Sequence, residues 1–111
     1  MGLRFLRAQG EMMKRIPAFR LVPESLTDEA RQLPGFKWAG DDVGKRHQLG
    51  GLPARPIGDA DWPRCPECGE RMSFYGQLDS INDDICIADA GLISIFICFE
   101  CKEVKAEISS A

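Results

Sequence analysis

One histidine, one tyrosine and no apolar run long enough for a signal h-region or a membrane span: these scarcities narrow the options before any motif is read. No internal repeat or low-complexity tract is present. The adjacent Gly50 and Gly51 are followed by Pro53 and Pro56 instead of a helix carrying Lys and Ser/Thr, so they do not form a phosphate-cradling loop. They describe a path that needs positive φ or a close approach, then a stiff extended exit. His47, the lone histidine, could serve as ligand or base, but no cysteine beside it suggests a nucleophile pair. A hydrogen bond to the Gly50-Gly51 turn is the simpler expectation. The five cysteines are odd in number, which suits reduced thiols in a cytoplasm better than a secreted disulfide scaffold.

What the chain does contain is a pair of cysteine knuckles. Cys65-Pro66-Glu67-Cys68-Gly69 and Cys98-Phe99-Glu100-Cys101 are separated by a segment long enough to fold back on itself. Two Cys-x-x-Cys pairs at this distance are the pattern of a four-thiolate tetrahedral site, so Cys65, Cys68, Cys98 and Cys101 are the expected ligands and Zn2+ the expected ion. Pro66 stiffens the first loop, and Gly69 allows a left-handed turn that aims backbone N–H groups at sulfur. A chain of 111 residues suggests one modest core. Structural zinc, at roughly 10–16 kcal/mol of apparent binding energy in finger peptides, would do much to fix it. Cys86, in the short run Ile85-Cys86-Ile87, is expected to be a small buried residue on a brief strand and not a further ligand.

Charge is unevenly placed. Residues 1–64 hold eleven Lys/Arg against eight Asp/Glu, a balance of +3, whereas residues 65–111 hold three against nine, a balance of −6. A nucleic-acid-binding ribbon carries its positive charge around the metal. Here the metal module is the acidic half, which disfavours that use.

Residues 1–20 are basic, with Arg4, Arg7, Lys14, Arg15 and Arg20 opposed only by Glu11. Leu3, Leu6, Met13 and Ile16 fit a helix face that Gly10 interrupts and Pro17 ends. A membrane-surface arm, a nucleic-acid arm or a transit peptide (though Ser is missing) weighs less than a short solvated helix or a frayed terminus. Ser25 or Thr27 followed by Asp28 and Glu29 predicts a second short helix, stopped by Pro34-Gly35. Phe36 and Trp38 are expected beneath the sheet, and Asp41, Asp42, Lys45 and Arg46 on an exposed turn. Alternation over residues 71–79 predicts a strand with Met72, Phe74, Gly76 and Leu78 inward and Ser73, Tyr75, Gln77 and Asp79 outward. An acidic loop over residues 80–91 carries Asn82, Asp83, Asp84 and Asp89, without the spacing of a calcium loop. Leu92 to Cys98 is almost wholly apolar and predicts a central strand. After the second knuckle, Val104, Ala106 and Ile108 are expected inward and Glu103, Lys105 and Glu107 outward.

Several of these features in order resemble the YwqG-like family of unknown function, distantly related to the amino-terminal domain of the programmed cell death 2 proteins. The matching elements are His47-Gln48-Leu49-Gly50-Gly51-Leu52-Pro53, Cys65-x-x-Cys68-Gly69-x-x-Met72-x-Phe74-x-x-Gln77-Leu78, Asp89-Ala90-Gly91 and Ile95-Phe96-Ile97-Cys98-x-x-Cys101. The resemblance covers roughly residues 35–105. The resemblance implies a β-rich fold that binds protein partners in chaperone-like or scaffold roles. A typical member carries more sheet on the amino-terminal side than this chain has.

The expectation is therefore a mostly β protein: a basic segment over residues 1–34 with one or two short helices, then a small antiparallel sheet over residues 35–111 closed by a zinc-ribbon-like site of four cysteines. Its function would be a cytoplasmic, non-catalytic protein-interaction module with no small-molecule substrate and no membrane role. The contact surface would be the polar face of the 71–79 strand, with the acidic loop and the Gly50-Gly51 turn. A rubredoxin-like iron electron carrier has similar ligand spacing, but Lys102 stands where its second knuckle has glycine, and Tyr75 is the sole tyrosine. A zinc-ribbon nucleic-acid binder would have to rely on Lys45, Arg46, Arg55 and the basic start of the chain.

Overall fold

The computed structural model describes residues 15–110, so the predicted helix over residues 1–16 lies almost wholly outside the described residues. Five antiparallel strands form one open sheet in sequence order: β1 (Phe19–Arg20), β2 (Gln48–Leu49), β3 (Ser73–Asp79), β4 (Leu92–Cys98) and β5 (Glu103–Ser109). The sheet is not closed. β1 and β5 are its two edges, and the cysteine knuckles sit at one end of the long strands. Among the described residues there is one α-helix, the four-residue α1 (Asp28–Arg31); of the two expected caps it uses Thr27, whose Oγ1 accepts from Ala30 N at 3.1 Å, and it ends short of Pro34-Gly35. No helix among the described residues is long and apolar enough to cross a membrane.

β4 is central, as its apolar composition predicts, and alternates strictly. Leu92, Ser94, Phe96 and Cys98 are buried, and Ile93, Ile95 and Ile97 are half-buried on the opposite side. Phe96 is the centre of the core. It packs edge-on against Trp62 at 5.5 Å and against Phe74 at 5.6 Å between ring centroids. Met72, Cys65 and Cys98 complete this cluster. Trp62 is also fixed by its own indole N–H, which donates to Met72 O at 2.7 Å, and by Arg71, whose guanidinium carbon lies 4.6 Å from the ring centroid. Phe36 and Trp38 are not part of this core. They pack edge-on with each other, and Trp38 is 56% exposed.

The face assignment of β3 changes halfway along. Pairing with β4 runs Ser73↔Ile97 and Phe74↔Phe96, then skips Tyr75 and resumes at Gly76↔Ile95. One extra residue in a period-two strand transfers everything after it to the other face. Leu78 is therefore exposed, while Gln77 and Asp79, expected to point outward, are buried. Their burial removes the polar face of the 71–79 strand as a contact surface.

Those two polar side chains hold the segment before and after β2. Gln77 donates to Arg46 O and accepts from Ala54 N, at 2.7 and 3.0 Å. Asp79 accepts from Gly44 N (2.7 Å), Arg46 N (2.9 Å), Arg46 Nε (2.9 Å), Arg46 Nη2 (2.7 Å) and its neighbour Ser80 N (2.7 Å). Arg46 thus leaves the exposed turn predicted for it. Its Nη2 also donates to Ala90 O at 2.9 Å, which ties in the loop before β4. That loop is only partly solvated, because Ser80 and Asn82 are buried and anchor it while Asp84 and Asp89 are exposed.

On the opposite side of the sheet, Val104 and Ile108 are 62% and 64% exposed, and Ala106 is exposed as well. The expected inward face of β5 is an outer one, because Val104, Ala106 and Ile108 pair with Ile97, Ile95 and Ile93. Lys105 and Glu107 lie instead across from the core residues Phe96 and Ser94.

Burial alone would push the Asp79 carboxyl up, but the Arg46 guanidinium and the Arg46 and Gly44 amides more than offset it, so its pKa lies below the ordinary carboxylate value. Such a group stabilises the fold above its unfolded pKa of about 4, and the contribution is lost as pH falls through the lower folded value. Asp79→Asn should cost about 3 kcal/mol at neutral pH, as expected for breaking a buried ion pair, with a smaller difference from the native chain near pH 3. Urea unfolding of both chains at the two pH values measures this, and acid effects common to both cancel in the difference.

Candidate metal centre

Each knuckle forms because its backbone turns left-handed directly after the second cysteine. Gly69 has φ of 76°, and Lys102 takes up the equivalent position with φ of 62°. The same backbone bond closes both loops, Gly69 N to Cys65 O at 2.8 Å and Lys102 N to Cys98 O at 2.7 Å. The missing glycine after the second knuckle therefore does not change the loop; Lys102 carries the strain instead. A left-handed non-glycine residue costs roughly 1–2 kcal/mol. The first knuckle is further held at its root by Cys65 N donating to Glu70 O at 2.8 Å.

The loops present four sulfurs to one point. The Sγ atoms of Cys65, Cys68, Cys98 and Cys101 all lie within 4.8 Å of one another. Cys68 Sγ and Cys98 Sγ, from different knuckles, are 3.8 Å apart. All four are free thiols. A disulfide needs sulfurs about 2.05 Å apart, whereas four ligands about 2.3 Å from a central ion leave tetrahedron edges of about 3.8 Å. The observed spacing suits the second case. Backbone N–H groups also reach the sulfurs, from Glu67 to Cys65 at 3.3 Å and from Cys101 to Cys98 at 3.4 Å. Such N–H···S contacts disperse thiolate charge.

Electrostatics point to the same use. Burial pushes the Cys65 thiol up, but the Cys68 and Glu67 amides and the Cys68 and Cys98 thiols outweigh it and bring Cys65 below its ordinary value. Cys101 is pushed up to about 12, by burial first and then by hydrogen bonding to its sulfur neighbours and the charge on Cys65. Sulfurs this close titrate as one group, in which the first ionises readily and the last resists. A divalent cation at their centre would supply the charge that lets all of them ionise. Four soft sulfur donors suit zinc or iron and not calcium or magnesium.

The remaining singled-out residues lie elsewhere. Cys86 is outside the cluster. It is half-buried in the loop, not on a strand, and its sulfur accepts from Ala90 N at 3.3 Å. His47 does not bond the Gly50-Gly51 turn. Its Nδ1 accepts from Asp79 N at 3.1 Å, which puts the ring proton on Nε2. Both glycines have positive φ, at 71° and 76°. The turn is also crowded: a Cβ at Gly51 would lie 2.6 Å from Ala18 Cβ, and one at Gly50 would meet Pro17 O. Both requirements anticipated for this turn are therefore present, and it seats the strand β1 instead of a ligand. Trp62, a core residue against the metal knuckle, was not singled out from sequence. Its position three residues before the first ligand is the available signal.

Lys102→Gly should relieve backbone strain and raise stability by about 1 kcal/mol, whereas Gly69→Ala should lower it by about 1–2 kcal/mol through φ alone. No atom lies within 4 Å of the added Cβ at Gly69, so a larger loss would mean the knuckle itself had moved. Thermal and urea unfolding of the metal-loaded chains provide the comparison.

Among known proteins, no family model, no curated protein and no solved structure matches this chain significantly.

Proposed function

We propose that this chain is a zinc-stabilised protein-interaction module, without catalytic activity, working in the cytoplasm. The observation that carries the reading is the convergence of four thiols from two knuckles at tetrahedral spacing. Four protein ligands leave zinc no open position for water or substrate, so the ion is a structural element. The acidic surroundings of the module, at −6 over residues 65–111, favour a protein over a polyanion as partner. The half-buried and exposed apolar residues on the outer face of β4 and β5 are what a protein contact would use. Kinship with the YwqG-like family, proposed from the ordered motifs, would imply the same class of role.

Elemental analysis of the purified chain should give one zinc per molecule and a colourless solution. A red, iron-containing protein would replace this reading with electron transfer. Cys68→Ser and Cys98→Ser should each abolish stoichiometric zinc and the cooperative unfolding transition, because a three-sulfur shell leaves the knuckles unjoined. Cys86→Ser should keep the full zinc content. Loss of zinc in Cys86→Ser would show that the ligand set is wrong.

A further inference from the structure

The partner class can be named more closely, on the reading that the sheet is a binding surface. β5 is an edge strand of seven residues, Glu103-Val104-Lys105-Ala106-Glu107-Ile108-Ser109. An unpaired edge is a template for another strand, and its sequence shows which strand fits. Written antiparallel against itself with a two-fold axis at Ala106, β5 places Lys105 opposite Glu107, Val104 opposite Ile108 and Ala106 opposite Ala106. By symmetry the charge pair occurs on both sides of the axis. We infer that two copies of this chain pair edge to edge through β5, with the two-fold axis at Ala106, to form one continuous sheet.

Charge decides that register over its neighbours. Moving the axis to residue 105 would set Lys105 on Lys105 and Glu103 on Glu107. Moving it to residue 107 would set Glu107 on Glu107. Only the Ala106 axis pairs the whole strand with opposite charges facing and no like charges opposed. Side chains also sort correctly by face. Lys105 and Glu107 share the side of Phe96 and Ser94, and their head groups are already 3.5 Å apart along the strand. Val104, Ala106 and Ile108 share the outer side with Ile97, Ile95 and Ile93. Pairing then joins apolar rows across the contact: Ile97 and Val104 of one copy run on to Ile108 and Ile93 of the other, and Ile95 and Ala106 meet their own equivalents. The edges of Val104 and Ile108, which are 62% and 64% exposed in the single chain, are covered by each other. The strand's carboxyl end is steadied from within, since Arg55 donates to Ser110 O just beyond it.

The test is light scattering on the purified 111-residue chain over a dilution series, with zinc content measured on the same samples. A mass twice that of the chain is expected. Lys105→Glu and Glu107→Lys alone should each weaken dimerisation about tenfold, because each sets two like-charge pairs across the axis. Mixing the two variants should restore it, since every carboxylate of one chain then faces an ammonium of the other across the axis. Within each variant the two neighbouring charges on one strand stay alike, so restoration on mixing reports only the contact between chains. A monomeric native chain overturns the pairing. So does a dimer that neither variant weakens, whether residues 1–14 or another protein covers β5 instead. Zinc content separates this from the module reading: a monomer carrying its zinc sinks the pairing alone, and a dimer without zinc sinks the metal assignment alone.

Discussion

Bringing four sulfurs within 4.8 Å of one another is the constraint around which the remaining structure is arranged. Without a cation this proximity keeps the four sulfurs from all ionising together, in line with the opposite displacement of the Cys65 and Cys101 thiols. With one it joins two loops that are distant in sequence, one entering β3 and the other linking β4 to β5. The aromatic core forms directly beside that junction. Trp62, Phe74 and Phe96 pack next to Cys65 and Cys98, so hydrophobic burial and the thiol cluster share one end of the sheet.

The other end is held differently. Gln77, Asp79, Ser80, Asn82 and His47 are buried there, and they are held by hydrogen bonds to backbone groups and, at Asp79, by the Arg46 guanidinium. Such groups stabilise only when nearly all their partners are supplied. Asp79 meets that condition with its five bonds, and it anchors residues 44–46 to β3 more firmly than the two-residue β2 could alone. The sheet is thiol-clustered and apolar at one end, ion-paired and polar at the other.

Much of this was legible in the residues. Knuckle spacing named the thiol cluster and the apolar run named the central strand, while the choice of Ser25 or Thr27 as cap left the start of α1 open. What was not legible depends on a single inserted residue and on which side of the sheet is covered. A bulge at Tyr75 has no compositional mark, yet it exchanged the faces of Leu78 and Asp79. Alternation in β5 distinguishes two faces without saying which is inside. The clue was available one strand earlier: Cys98 must face the other sulfurs, so period two places Phe96 and Ser94 with it, and Lys105 and Glu107 follow as their partners. Trp38 was misplaced because aromatic size suggests burial but does not specify against what.

The Cys98–Cys101 knuckle is also the turn of the β4–β5 hairpin, and this has an effect on sequence tolerance. In an ordinary hairpin, alignment of the two arms depends on side chains packed along both of them. Here a slip by one residue would swing Cys98 away from the thiol cluster, so the alignment is locked at the tip. The outgoing arm is thereby released from core duty. Its composition can drift, or be selected for recognition, without the hairpin losing its place.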